Sequence, residues 1–329
     1  MSSVFSTPPP AFSEKEIIEI LHTQSEVSGT ATDLYSDRDQ NFLIKESDGK
    51  KSILKISNPA EEKSILDMQH EATYTIYEND PTLCVPLQIG DINSFEKNSK
   101  TYFVRRVEFL EGDFLKDQIL DETSFEQLGA FLGRLSRALE GFSHPGADRP
   151  FEWDVQTVDL IQSRCNYITS ESEKETIFHF LNEYKKNVLP SSHELRMAII
   201  HNDGNDHNVL VNEKGETTGI IDFGDMVYSY QVAEPAVCMA YVGLEKDDPF
   251  SAMTHVLKGY HSVFPLNESE LKFAIYLSCV RLCISVTMSA WRIKLFPENE
   301  YLSVSQKPAW ELLYKLKQED LNQWFDRLL

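Results

Sequence analysis

The chain has 329 residues, 41% of them hydrophobic and 25% charged, enough for one large domain or two lobes with a sizeable core. Its 52 acidic against 31 basic residues leave a net charge of −21, which counts against nucleic acid and anionic membrane surfaces as partners and favours a small cationic metabolite. Solubility alone also accounts for that charge.

The opening, MSSVFSTPPPAFSEKE, has neither a basic segment nor an apolar core of signal-peptide length, and its three consecutive prolines predict a loose tail over the first ten residues. SEKEIIEILHTQ has a Ser cap and apolar residues at helical spacing. Strands follow at ATDLYS, NFLIK and KSILKIS, the last two joined by an ESDGK turn. PAEEKSILDMQHEATYTIYEN predicts a helix with a proline near its start, and CVPLQIGD and KTYFVRRVEFL supply two more strands. From Glu111 onward helices dominate, beginning with TSFEQLGAFLGRLSRALEGF. FAIYLSCVRLCISVTMSAWRI is long enough to span a bilayer, but the Arg in its middle and its scattered Ser favour a packed interior helix. The five cysteines are odd in number and lack zinc-like pairing, which predicts reduced thiols in a cytoplasm.

Between Ile199 and Asp225 the chain reads IIHNDGNDHNVLVNEKGETTGIIDFGD. NVLVN is a strand, EKGE a turn and TTGIID the returning strand. An antiparallel hairpin brings the residue before its first strand close to the residue after its second, so Asn208 and Asp222 meet at its open end. An amide oxygen and a carboxylate placed there can share one hard cation such as magnesium. Asp203 lies five residues before Asn208, with room for a loop that turns it toward the same space. His-x-Asp-x-x-x-x-Asn followed by Asp-Phe-Gly is the catalytic-loop and metal-loop pair of kinase-type phosphoryl transfer. Asp203 is then the carboxylate that orients the attacking hydroxyl and takes its proton, and Asn208 and Asp222 hold the metal on the phosphates. Neither motif is specific alone; their order and the tight hairpin between them carry the signal. The competing account is a polar turn beside an ordinary strand pair. His201 fits a packed imidazole that braces the metal loop.

A kinase reading requires a lysine on the third strand and a helix glutamate beside it. SILKIS supplies Lys55, which on its own is a surface strand lysine, and the next helix supplies Glu71, with Glu61 and Glu62 ahead of it as solvated residues. The turn that covers the phosphates falls at Ser36 to Asn41. It has no Gly-x-Gly-x-x-Gly, so backbone and hydroxyl contacts, with Ser36 and Asn41 as candidates, must replace a glycine cradle. In RRVEFLEGD, backbone groups of Glu108 and Leu110 are candidates for the purine edge. The expected fold is α+β and bilobal. Residues 1–107 form a nucleotide lobe with a five-stranded antiparallel sheet and one main helix, residues 108–329 form a mostly helical lobe carrying the hairpin, and a hinge lies at 108–111.

HNDGNDHNVLV, with GIIDFGDM and SDRDQNFLI, resembles the aminoglycoside phosphotransferase family of small-molecule kinases over most of the chain. Within it the chain looks most like the hydroxylysine kinase branch, which is similar to kinase domains fused to class III aminotransferases. The resemblance implies a protein-kinase-like fold and a magnesium- and nucleotide-dependent kinase of a small amino alcohol or hydroxy amino acid, with GTP preferred in that branch and ATP kept open. It carries the family's base onto Asp203, its metal ligands onto Asn208 and Asp222, and its phosphate lysine onto Lys55. Two positions depart from the pattern. The more usual His-Gly-Asp is His-Asn-Asp here, a change that bears on loop shape rather than chemistry. The acidic residue after the metal loop, often Asp, is Glu234, expected as a structural brace.

Only nine residues, 225–233, separate Gly224 from Glu234, too few for a regulated activation segment that also docks a peptide. A small-molecule acceptor is therefore preferred over a protein. Asp225 and Asp206 are candidates for holding its ammonium, and Arg281 for its carboxylate, the alternative for Arg281 being an internal ion pair with Glu234. Trp153 and Asp154 in FEWDV are either a pocket wall or a packed Trp beside a helix cap. The expected acceptor is 5-hydroxy-L-lysine. Homoserine, a choline-like compound or an aminoglycoside is the enzyme alternative, and a catalytically silent nucleotide-binding module is the alternative of another class.

Overall fold

The computed structural model describes residues 3–25, 28–34, 36–299 and 306–327. Contacts divide the chain into two compact units, Met1–Tyr74 with Val85–Glu111, and Thr75–Cys84 with Gly112–Leu329.

The first unit is built on a five-stranded antiparallel sheet in the order β1-β2-β3-β5-β4, from β1 (Gly29–Leu34), β2 (Gln40–Glu46), β3 (Lys51–Ile56), β4 (Gln88–Lys97) and β5 (Lys100–Glu108). Alternation along β3 sends Leu54 and Ile56 to one face, where they meet Phe42, Ile44 and Val104 and the apolar stripe of α1 (Glu14–Ser25) formed by Ile17, Ile20 and Leu21. Each such side chain contributes about 1.5–3 kcal/mol by leaving water. Lys55 takes the other face, paired in register with Asn41 of β2 and Arg105 of β5. Arg105 is buried and donates to Gln69 of α2 (Lys63–Asn79).

Three expectations change in this unit. The opening residues are not a loose tail: Phe5 is 1% exposed, Ser6 and Thr7 N–H both donate to the Ser3 carbonyl, and Pro10 is buried. Prolines restrict the unfolded chain, so a proline-rich segment loses little freedom when it packs. Glu61 is buried rather than solvated. The strand expected from Cys84 begins only at Gln88, because Cys84 is bound elsewhere. The Glu108 N–H donates to the Leu87 carbonyl at 2.9 Å.

The second unit begins earlier in the chain than the expected hinge. Asn79 donates to the Ala138 carbonyl at 2.8 Å, and Asp80 accepts Arg134 at 2.7 Å. Cys84 N–H donates to Thr218 and its carbonyl accepts from Ile220, both at 3.0 Å, bridging it to Gly219. A side chain at Gly219 would press on the Cys84 carbonyl at 3.0 Å, which is why the strand has glycine there. Cys84 is the exposed free thiol; Cys165, Cys238, Cys279 and Cys283 are buried, and burial raises all four thiol pKa values.

Helices α3 (Glu122–Ala138), α4 (Val158–Arg164), α5 (Glu171–Asn187), α6 (Ala233–Val242), α7 (Pro249–Val263), α8 (Glu268–Leu295) and α9 (Gln306–Lys317) make up most of this unit. The most apolar stretch of α8 is 89% buried, with α4, α5, α6 and α9 packed on it. Where α3 and α7 cross, a Cβ at Gly129 would stand 1.9 Å from the Val256 carbonyl and one at Gly259 2.0 Å from that of Glu126, so the two backbones touch only because both residues are glycine.

Two small sheets interrupt the helices. One pairs β7 (Met197–Ile200) with β10 (Val227–Tyr230); the other orders β6 (Asp113–Phe114), β8 (Val209–Val211) and β9 (Thr217–Ile220). The hairpin is the one expected, while β6, β7 and β10 were not foreseen. The start of β7 is fixed by Arg196, whose guanidinium makes 2.8 and 2.6 Å bonds to the fully buried Glu270 of α8.

Candidate active site

Two loops join the same pair of small sheets. Residues 201–208 run from β7 to β8, and residues 221–226 run back from β9 to β10. Because each sheet pairs its two strands antiparallel, Val227 lies opposite Ile200 and Val209 opposite Ile220, so the loops are held side by side at both ends. The Ile221 N–H to Asn208 carbonyl bond at 2.9 Å extends the hairpin one residue further. Asn208 and Asp222 thus flank its open end.

His201 stitches the loops together. Its Nδ1 accepts the Asp203 N–H at 3.2 Å and its Nε2 stands 3.1 Å from the Ile221 carbonyl, a pairing that requires the proton on Nε2. Its ring packs edge-on to Phe223 at 4.7 Å, and burial lowers its pKa to about 4, so it is neutral. Glu234, at the start of α6, braces the same turn from behind: Oε2 accepts the N–H of His201 at 2.6 Å and of Asn202 at 3.3 Å. Burial raises its carboxyl to about 7.

Asn202 has φ of 64°, the left-handed region that glycine enters freely and Asn tolerates better than most residues. The His-Asn-Asp departure therefore keeps the loop shape, and the Asn202 amide adds a 3.3 Å bond to the Asp225 carbonyl. Asp222 is likewise left-handed, at φ 63°, and exposed.

Asp203 is held on every side but one. Its Oδ1 accepts Asn205 Nδ2 at 2.9 Å and Arg281 Nη2 at 3.1 Å, and its Oδ2 accepts Asn208 Nδ2 at 2.6 Å. About a fifth of its side chain stays open, at 21%. Burial pushes its carboxyl up to about 8, the Asp225 and Asp222 carboxylates add to the rise, and Arg281 opposes it. A carboxylate fixed in orientation by Arg281 and two amides, with one side open, suits a proton acceptor for a hydroxyl.

Asn208 donates through Nδ2 to both the carbonyl and Oδ2 of Asp203, an orientation that keeps its Oδ1 for a cation. No three His, Cys, Asp or Glu cluster as a metal cage among the described residues. One amide and one carboxylate form an incomplete oxygen shell, which fits magnesium shared with phosphates.

Arg281 of α8 is 1% exposed and faces inward. Nη1 donates to the Trp153 carbonyl at 2.7 Å, and the guanidinium lies 4.6 Å from the Trp153 ring and 5.6 Å from that of Tyr241. It makes an internal ion pair, with Asp203 rather than Glu234, and both Nη groups are engaged. Trp153 is its platform. Asp154 accepts from Ser229 at 2.6 Å and from Gln156 N–H at 3.1 Å, a packed turn before α4.

The other candidates fall as follows. Asp225 is half-buried in the metal loop, close enough for its charge to reach Asp203. Asp206 is half-buried; burial raises its carboxyl, while His207, Lys246 and Lys116 oppose the rise. In the first unit Lys55 and Asn41 are cross-strand neighbours, Ser36 and Leu110 are half-buried, and Glu71 is exposed on α2. Asn205 was missed as a holder of the base; an amide two residues after Asp203 was the only signal.

Comparison with known proteins gives three results. The model of the phosphotransferase enzyme family, APH, matches residues 30–264. Hydroxylysine kinase of Mus musculus is 31% identical over 86% of this chain and 83% of its own length, and that of Bos taurus 30% identical over 84% and 82%. Among solved structures, a microcompartment-associated aminopropanol kinase superposes with a TM-score of 0.75 at 14% identity, covering 96% of this chain and all of that one. Amicoumacin kinase hAmiN, in complex with AMP-PNP, Ca2+ and Ami, gives 0.71 at 16% identity over 97% and 98%.

Proposed function

Since the chain belongs to the phosphotransferase enzyme family and is a small-molecule kinase, we propose that it phosphorylates the hydroxyl of a small cationic hydroxy amino acid, 5-hydroxy-L-lysine first, from GTP or ATP with magnesium. The observation that carries this is the Asp203 carboxylate, fixed by Arg281, Asn205 and Asn208 among the negative charges of Asp222 and Asp225. The Mus musculus and Bos taurus relatives bear the name hydroxylysine kinase, which supports the substrate. The five free cysteines support a cytoplasmic setting.

In this reading Asp203 accepts a hydrogen bond from the acceptor hydroxyl, aims its oxygen and takes its proton as transfer proceeds. Phosphoryl transfer asks little covalent help of a protein, so positioning and charge carry most of the rate. Arg281 keeps the base oriented and favours its ionised form. Lys55 holds donor phosphate oxygens, with Glu71 as the acidic residue of that arrangement. Asn208 Oδ1 and Asp222 would hold magnesium, which would neutralise charge on the phosphates. Asp225 receives the acceptor's ammonium. Arg281 gives its Nη groups to the Trp153 carbonyl and Asp203, and its Nε, buried without a hydrogen-bond partner, is the donor we assign to the acceptor's carboxylate.

The test is nucleoside diphosphate release across amino alcohols and hydroxy amino acids, with ATP and GTP assayed separately. An amine-bearing acceptor should be preferred over its neutral hydroxy analogue, because the analogue leaves the site's charged group unpaired. Asp225→Asn should raise the acceptor KM more than the nucleotide KM. Equal use of 5-hydroxylysine and an uncharged analogue, with unchanged selectivity in Asp225→Asn, removes the proposal.

A further inference from the structure

The phosphate-covering turn at 36–41 has no glycine, yet a turn that receives phosphates must hold its backbone groups in one arrangement. Glycine reaches such arrangements through conformational freedom, at an entropic cost. Here the arrangement is imposed from outside. Asn58, 1% exposed just after β3, donates its Nδ2 to the carbonyls of Val4 at 3.3 Å, Thr7 at 3.2 Å and Arg38 at 3.1 Å. Its own N–H reaches Asp39 Oδ1 at 2.9 Å. The Arg38 guanidinium stands 5.2 Å from the ring of the buried Phe5. Gln40 closes the set, accepting the Phe12 N–H at 2.8 Å and donating to the Phe12 carbonyl at 3.0 Å. Three consecutive residues of the turn are thus fastened to Asn58 or to the segment 3–12.

The inner end of the turn carries an unmatched acceptor. Asn41 Oδ1 is buried without a hydrogen-bond partner, and Asn41 is the register partner of Lys55. An amide oxygen accepts and phosphate oxygens offer it no donor, so its match at a bound nucleotide is a hydroxyl or a water carried with the phosphates. We propose that Asn58 and the N-terminal segment 3–12 are positioning residues for the phosphoryl donor, pre-organising residues 36–41 to receive it. The inference rests on the proposed kinase reading of that turn. A braced turn loses less freedom on binding than a glycine loop, so the brace acts on donor affinity and leaves the acceptor untouched.

Phe5→Ala and Asn58→Asp test this in the full chain, read by calorimetric Kd for non-hydrolysable ATP and GTP analogues with magnesium, by both KM values and by Tm. Ile20→Val, a core change in α1 of the same unit, gives the effect of lost stability alone. Donor Kd and KM should each rise about tenfold, the scale of one or two lost hydrogen bonds, with acceptor KM unchanged. Unchanged donor Kd in both folded variants overturns the inference. So does an equal rise in Ile20→Val at a matched loss of Tm. A wild-type protein that binds nucleotide but phosphorylates no hydroxylated amine removes the proposed acceptor, while the Kd comparison still decides the brace.

Discussion

Replacing Arg281 with Met keeps an apolar stem between the Trp153 and Tyr241 rings and deletes the charge that lies 3.1 Å from Asp203. At a charge separation of about 4 Å and an effective dielectric of about 20, the lost attraction is about 4 kcal/mol, or about three pKa units as an upper bound. Asp203 is 21% exposed, so solvent screens part of this and a rise of about one to two units is expected. The direction follows from the base's need to be ionised: activity is present above its pKa and lost as pH falls through it. The acid limb of kcat/KM for the acceptor should therefore move upward in Arg281→Met, with activity returning at alkaline pH and the nucleotide KM little changed. Breaking a buried pair from one side also destabilises the fold by about 3–5 kcal/mol, so melts must fix an assay temperature at which the variant is folded. A folded Arg281→Met enzyme with its acid limb unmoved would refute Arg281 as the residue that keeps the base ionised.

Asp203→Asn keeps shape but removes the proton acceptor; single-turnover assays should show a loss of about a hundredfold or more with nucleotide affinity nearly retained, and a loss of only a few-fold sinks the assignment. Asp222→Ala should abolish turnover at ordinary magnesium while the circular dichroism spectrum is kept, and normal activity there refutes the metal reading. His201 ties stability to pH: its folded pKa of about 4 lies below the unfolded value of about 6.5, so its contribution is full above the unfolded value and is lost as pH falls toward the folded one. Urea unfolding should show His201 accounting for about 2 kcal/mol of lost stability between about pH 7.5 and pH 5, and a His201→Asn variant with the same pH dependence contradicts this.

The hairpin and its two loops were legible because everything that defines them is local: strand, turn and return strand fix where Asn208 and Asp222 stand. The five-stranded sheet was legible for the same reason, its strands being joined by short turns and one helix. What stayed hidden depends on distant partners. Arg281 lies 78 residues from Asp203 in sequence, and nothing in its apolar surroundings said which carboxylate it would meet. The N-terminal segment read as loose because prolines mark both tails and tightly packed straps, and only Asn58, 54 residues from Val4, decides between them. Strands β7 and β10 are four residues each, too short to announce a period, and are specified by pairing with one another.

Cys84 has a practical consequence. It is the exposed thiol among the five cysteines, and its main chain is bonded to Thr218 and Ile220 of the hairpin strand that leads into Asp222. A maleimide fluorophore therefore has one accessible attachment point in the native protein, without mutagenesis. Its emission would report the local order of that strand. Titrating magnesium or nucleotide against the labelled protein would yield an optical binding isotherm, separate from turnover and available even for variants that no longer catalyse anything.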